Sequence, residues 1–386
     1  MLKIYTIMML GPGGSGKTVF LASMYKKLAT QGKLGFFLEI DSAEKRKRLQ
    51  KIYTQVALEE QWPEATSLSD ISKWKFSCKV QNEYLSNYPV CDFVYMDYAG
   101  VKLTDEMEQE DIIFENHLKD ADALLGLLDG QKIYDLMHGG KVGQRWMINE
   151  LPNLLEYMQN TENPAHFLIS KWELLESHYT LEQIKNKLLE IEEFQNVIQQ
   201  RNFANSPIYL IPVSSVGMGF TELQPDGTIK KNNDQLPQPY QVEMPLACVL
   251  PDLIRRQLNE VIQEKERKIQ EKMEFELNLN LWDKLQINIV RIAKFFLKPI
   301  RAVLPRKYQL TSRISQQIAN LINSLEKPVK QKEKAAQKRI EELKYKQAKS
   351  IQKLEDQESA LNHALNCFLS LIRDLERKYP SSKLKV

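Results

Sequence analysis

Eight residues near the start of the chain, Gly11-Pro12-Gly13-Gly14-Ser15-Gly16-Lys17-Thr18, carry its strongest chemical signal. Glycines at 11, 13, 14 and 16 let backbone N–H groups turn inward, and a lysine follows where a helix should begin. Inward amides, the positive end of a helix dipole and one ammonium group suit a polyphosphate. Ser15 lies among the turned amides, and the Thr18 hydroxyl is of the type that ligates Mg2+ in such loops. The apolar run 4–10 precedes the loop and a helical period over 18–28 follows it, which is the setting this spacing requires. A glycine-rich turn without a ligand is the bland alternative, and the setting argues against it.

A second segment, Asp97-Tyr98-Ala99-Gly100, follows the apolar run 93–96. An Asp at a strand end beside the phosphate loop can hold Mg2+ through water. A Gly three residues on can give its N–H to the terminal phosphate, so the loop senses hydrolysis. Alone, D-x-x-G is an ordinary turn; its place after the phosphate loop gives it weight.

Together the two segments resemble the P-loop GTPases of the Ras-like, TRAFAC class, and the resemblance implies GTP or GDP with Mg2+ as ligands. It also implies a base-reading N/T-K-x-D segment, and Ser170-Lys171-Trp172-Glu173 occupies that place after the apolar run 167–169. Lys171 matches; Ser170 and Glu173 depart from the pattern. A carboxylate accepts both N1–H and N2–H2 of guanine, which adenine does not offer, so Glu173 keeps the chemistry with one added methylene. A solvated acid at a helix start is the competing reading. Ser214-Ser215-Val216-Gly217, after the last strand, fills the place of the loop that approaches the guanine oxygen. Thr66, after Trp62-Pro63, is the candidate for the switch threonine on Mg2+, with Ser67 and Ser69 as alternatives. Lys17 and Thr66 are thus the expected catalytic residues, and Thr18, Thr66 and Asp97 the expected metal set.

One departure bears on hydrolysis. Ras-like proteins place a water-orienting Gln directly after D-x-x-G; here that residue is Val101. Hydrolysis should be slow unless a different residue, a partner chain or a second copy in a dimer supplies the missing group. The phosphate loop, Phe20-Leu21-Ala22-Ser23-Met24-Tyr25, the Trp-Pro…Thr segment and residues 213–217 are similar, more narrowly, to bacterial double-GTPase-type proteins. That resemblance spans about residues 1–250.

The elements that must hold these segments alternate. Strands are predicted at 4–10, 36–40, 74–80, 92–96, 123–128, 166–169 and 208–213, with helices at 18–28, 43–60, 106–119, 146–159 and 181–199. Such alternation implies an α/β P-loop domain with a mostly parallel sheet over 1–250. Residues 221–240, polar and turn-rich (Pro225-Asp226-Gly227, Asn232-Asn233-Asp234, Pro237 and Pro239), read as a surface excursion. From 251 to 386 the pattern is all-α, with helices near 251–277, 281–303 and 312–378 and a break at Pro328.

Charge divides along the same line. Residues 1–250 carry 24 Lys and Arg against 33 Asp and Glu, a net of −9; the remainder carries 29 against 17, a net of +12. The basic helical region suits an anionic surface or an acidic partner, or is a solvated face. Helix 281–303 sets Leu281, Leu285, Ile289, Ile292, Phe296, Ile300 and Val303 on one face and Lys284, Arg291, Lys294, Lys298 and Arg301 opposite. It fits a membrane interface, or else packing on the first domain or in a helical bundle. Only the end of 326–378 approaches the heptad seam of a coiled coil. No motif of specific nucleic-acid readout accompanies the charge. Four dispersed cysteines and five histidines argue against structural zinc or disulfides. The expected place is the cytoplasm, with peripheral contact at the inner face of a membrane as the further option. The expectation is therefore an Mg-dependent, GTP-binding switch whose helical tail meets a partner or membrane; a nucleotide-stabilised scaffold with little hydrolysis, or an ATP-binding one, is the alternative.

Overall fold

The computed structural model describes all residues except 1–2, 31, 33, 41, 65–71, 82–86, 98–107, 160, 204–205, 233–234, 285–328 and 386. The first strand is β1 (Ile4–Leu10), followed by α1 (Lys17–Leu28), β2 (Phe36–Glu39) and α2 (Ala43–Leu58). Then come β3 (Ser72–Val80), β4 (Tyr88–Asp97), α3 (Glu108–Lys119) and β5 (Ala123–Asp129). The predicted helix 146–159 is two, α5 (Lys141–Asn149) and α6 (Leu151–Gln159), preceded by α4 (Gly130–Met137). Pro152 lacks the N–H that a continuous helix would need there. β6 (Ala165–Ser170) leads to α7 (Leu181–Leu189) and α8 (Glu192–Phe203), again two helices where one was predicted. β7 (Ile208–Pro212), β8 (Thr221–Leu223), β9 (Ile229–Lys231), α9 (Met244–Lys284), α10 (Val329–Lys378) and β10 (Lys383–Leu384) complete the chain.

The main sheet has the order β10-β7-β6-β5-β1-β4-β3-β2. Strands β4, β1, β5, β6 and β7 are mutually parallel, and β3, β2 and β10 are antiparallel additions at the two edges. Every residue of β5, β6 and β7 is buried, as expected of parallel strands covered by helices on both faces. The expected α/β P-loop domain with a mostly parallel sheet and a helical C-terminal region is thus present. Connections run from β1 to one side of the sheet, return to β4 beside it, and then cross to β5 on its other side. Beyond the C-terminal ends of strands at such a reversal, a ligand crevice opens, and residues 11–18 lie there.

The chain forms two compact units, which do not divide at Leu250. One comprises residues 1–257 and 360–386, the other 258–359. In the first, Ala360, Leu361, Ala364, Phe368 and Leu375 of α10 are fully buried, and the Phe368 ring lies 4.6 Å from Phe36. In the second, Lys265 of α9 pairs with Glu358 of α10. α9 runs unbroken to Lys284, through the expected boundary near 277–281, and α10 begins directly after Pro328. The remainder of the amphipathic stretch 281–303 lies outside the described residues. Among those described, no helix is long and apolar enough to cross a membrane.

Candidate functional site

The phosphate loop is built by local backbone geometry. Gly16 caps α1 at φ 91°, a left-handed conformation in which a side chain is strained, and no side chain caps the helix. The first-turn amides of α1 therefore open into the loop. At Gly13, Gly14 and Gly16 an added Cβ would meet no atom of the described residues within 4 Å. These glycines face open space, as a cradle for a ligand requires. Ser15 is fully buried, and its Oγ donates to Pro12 O at 2.7 Å, which tightens the turn. The Lys17 ammonium folds over the loop, donating to Gly11 O at 2.8 Å and Pro12 O at 3.0 Å. Thr18 follows in the first turn of α1, half-buried.

β4 runs parallel to β1 and ends at Asp97, in register with Met9. The strand therefore brings Asp97 to the loop's edge of the sheet, although its side chain lies outside the described set. Thr66, Gly100 and Val101 also lie outside the described residues.

The base-side segments come together at the ends of β5, β6 and β7. Lys171 takes a left-handed backbone (φ 51°) before a short 3-10 turn, Trp172–Leu174. Its ammonium donates to Asp129 Oδ2 at 2.9 Å and lies 3.4 Å from Gln131 Oε1. Asp129, whose other oxygen accepts Gln131 N at 2.9 Å to start α4, is a member of the site that the sequence reading omitted. It carried no motif; only the parallel register of Asp129 with Ser170 places it beside Lys171. Ser170 is buried and its Oγ lies 3.3 Å from Leu128 O, so its hydroxyl is turned into the sheet.

Glu173 is half-buried. Its Oε1 accepts from Thr221 Oγ1 at 3.3 Å, while Oε2 is sealed from solvent and accepts no well-formed hydrogen bond among the described residues. Burial raises its pKa above the ordinary carboxylate value. The Ser214 hydroxyl, its own backbone, the Thr221 hydroxyl and the Lys171 charge oppose that rise. An orphaned carboxylate oxygen is costly to keep, and it is what a pair of ligand N–H donors would satisfy.

The loop after β7 is held by its own atoms. Trp172 N donates to Val213 O at 3.1 Å and joins it to the Lys171–Glu173 turn. Ser214 Oγ accepts from Gly217 N at 2.7 Å and Val216 N at 3.3 Å, and its backbone bridges Tyr240. Ser214 thus shapes the loop, and half-buried Ser215 stands at its turn. Gly217 (φ 88°) tolerates no side chain, since a Cβ there would lie 2.1 Å from Gln238 O. Val216 packs with Phe220, Val56, Val19 and Trp62, a small apolar cluster joining this loop to α1 and α2.

No protein-family model matches the chain, and no curated protein matches it significantly. Among solved structures it is similar to the Arl6 (BBS3) small GTPase of Trypanosoma brucei with bound GppNp. The identity is 12%, over 55% of this chain and 88% of that one, with a TM-score of 0.28. It is also similar to the signal recognition particle receptor SRb-GTP/SRX complex from Chaetomium thermophilum. There the identity is 13%, over 57% and 93%, with a TM-score of 0.34. Translation elongation factor SelB from Methanococcus maripaludis, in complex with GppNHp, is 14% identical over 55% of this chain but 30% of its own, with a TM-score of 0.26. The fold assignment rests on the strand order and the phosphate loop, not on these similarities.

Proposed function

We propose that this chain binds a guanine nucleotide with Mg2+ and works as a slow GTP-hydrolysing switch. The observation that carries the reading is the pairing of an open glycine cradle over residues 13–16 with the orphaned Oε2 of Glu173 at the neighbouring strand ends. Phosphates would lie against the turned amides at the start of α1, and Lys17 would exchange Gly11 O and Pro12 O for phosphate oxygens. Thr18, Thr66 and Asp97 would hold Mg2+, whose role is to neutralise charge on the phosphates, and Gly100 would donate its N–H to the terminal one. Glu173 would accept the two N–H groups of guanine, with Lys171 alongside, fixed by Asp129. Residues 214–217 would close over the base. These roles follow the narrower resemblance to double-GTPase-type proteins as well as the Ras-like one.

Competition binding of GTP, ATP and XTP to the purified chain tests the proposal. GTP should win, and Lys17→Ala should weaken it by about ten- to a hundredfold for loss of a charge-assisted contact. Equal affinity for all three, or an indifferent Lys17→Ala, would sink it. Val101 favours a second reading, a nucleotide-held scaffold with little turnover in the cytoplasm or at a membrane, its C-terminal helices docking a partner. Multiple-turnover phosphate release, measured with and without anionic vesicles, separates the two.

A further inference from the structure

Residues 221–231, read from sequence as part of a polar surface excursion, contain a hairpin with buried, specific contacts. β8 and β9 pair antiparallel, with Thr221 opposite Lys231, Glu222 opposite Lys230 and Leu223 opposite Ile229. Thr221 reaches the Glu173 carboxylate at 3.3 Å. Its cross-strand partner Lys231 is 8% exposed. Its ammonium donates to Glu59 O at 2.8 Å, Gln61 O at 3.1 Å and Gln55 O at 3.3 Å, and stands 4.5 Å from the centre of the Trp62 ring. A buried ammonium spending its three protons on main-chain carbonyls at the end of α2 is a costly arrangement unless position matters. Trp62 closes the contact from the other side, Nε1 donating to Ile229 O at 3.2 Å. Gln131, beside Lys171, donates to Gly227 O at the hairpin tip, at 2.6 Å.

We infer that the β8–β9 hairpin is a specificity-setting strut: Thr221 orients Glu173 for the base, and Lys231 anchors that contact to the C-terminal end of α2. The inference rests on the guanine-nucleotide reading above. Thr221 is a positioning residue, since it acts on the base through the carboxylate. A threonine hydroxyl donating to Oε1 fixes the plane of the carboxylate, and so the direction in which Oε2 meets a donor. The Lys231 clamp keeps Thr221 in register, because the two residues face each other across one pair of strands. Occupation of the base site is thereby tied mechanically to residues 59–62, from which the chain proceeds toward β3.

The test uses the full chain and measures GTP and ATP affinities by calorimetry for the wild type, Glu173→Gln, Thr221→Val, Thr221→Ser, Lys231→Met and the double variant Thr221→Val/Glu173→Gln. Loss of one oriented hydrogen bond should cut the GTP-over-ATP preference about tenfold in Thr221→Val, and Thr221→Ser should restore it. In the Glu173→Gln background Thr221→Val should add nothing, since both act through one carboxylate. Lys231→Met should lower the preference as well as the melting temperature. A wild type without GTP preference, or one that keeps it in Glu173→Gln, defeats the guanine reading. A preference lost in Glu173→Gln but intact in Thr221→Val overturns the strut and leaves that reading standing. A Lys231→Met variant that melts early with unchanged preference removes Lys231 from the device.

Discussion

Replacing Glu173 by glutamine separates a reader of guanine from a packing acid, because the two roles move stability and affinity in opposite directions. Oε2 accepts no well-formed hydrogen bond among the described residues, and burial raises the pKa of the group against the opposing Ser214 and Thr221 hydroxyls. A carboxyl whose folded pKa lies above its unfolded value contributes stability at low pH that is lost as the pH rises through the folded value. At neutral pH the ionised side chain is therefore a net cost to the free protein. An amide removes that cost, so Glu173→Gln should melt at the same temperature as the wild type or higher without nucleotide. Binding should respond the other way. The carboxylate offers two acceptors to two guanine donors; glutamine offers one and sets an NH2 against the second donor. A charge-assisted hydrogen bond is worth about 1.5–3 kcal/mol, or roughly a ten- to 150-fold loss of GTP affinity, with ATP affected by no more than a factor of about three. Calorimetric titration at pH 7.5, paired with thermal melts of the free protein, gives both numbers. A variant that melts several degrees lower while binding GTP normally would make Glu173 a structural acid and refute the reasoning.

Three further outcomes are expected. Guanine affinity should fall as the pH is lowered toward the raised pKa of Glu173, since protonation removes an acceptor; a GTP-to-ATP affinity ratio constant from pH 8 to 5 would contradict this. His166 is buried between β7 and α9, accepting Tyr209 N and donating to Cys248 O, both at 3.2 Å, and burial lowers its pKa from 6.5 to about 4. Keeping that ring neutral is worth about 3 kcal/mol, fully present above pH 6.5 and declining as the pH falls toward 4; urea melts at pH 7.5 and 4.5 should show the loss, and a flatter profile in His166→Gln. Gly16→Ala and Gly217→Ala should part company. The first meets open space and costs about 1–2 kcal/mol of backbone strain while weakening nucleotide binding more than tenfold, whereas the second collides with Gln238 O and should cost about 2–4 kcal/mol in a thermal melt.

What was legible in the sequence was whatever has a local cause. Strand β1 and the loop at 11–18 are announced by an apolar run, by glycine and by one lysine, all within fifteen residues. The seven principal strands fall where they were predicted: the parallel ones are largely continuous apolar runs with little polar surface to disguise them, and β3 shows the alternation of a strand with one buried face. Helix boundaries were less legible: the breaks at Glu150 and Glu190 interrupt an apolar period that itself runs on. The contacts that complete the base side were invisible for another reason. Asp129 meets Lys171 across 42 residues, Thr221 meets Glu173 across 48, and Lys231 reaches Glu59 across 172. None has a spacing that a one-dimensional pattern can encode. The polar, turn-rich stretch 221–240 looked like solvent-exposed loop, yet it holds a buried lysine, Lys231. The C-terminal return into the first unit was hidden likewise, since the amphipathic period of α10 does not say what its apolar face covers.

The pairing of β10 with β7 has a consequence in time. Lys383 and Leu384 close the outer edge of β7 at Tyr209 and Ile208, yet roughly 170 residues separate the two strands in the chain. At a synthesis rate of ~5–20 residues per second, that is roughly 10–30 s of translation. Throughout that interval the nascent sheet carries an unpaired edge at β7, and an open edge is a template for pairing with other chains. One end of this sheet is therefore completed during translation, and the other only as the ribosome finishes the last described residues.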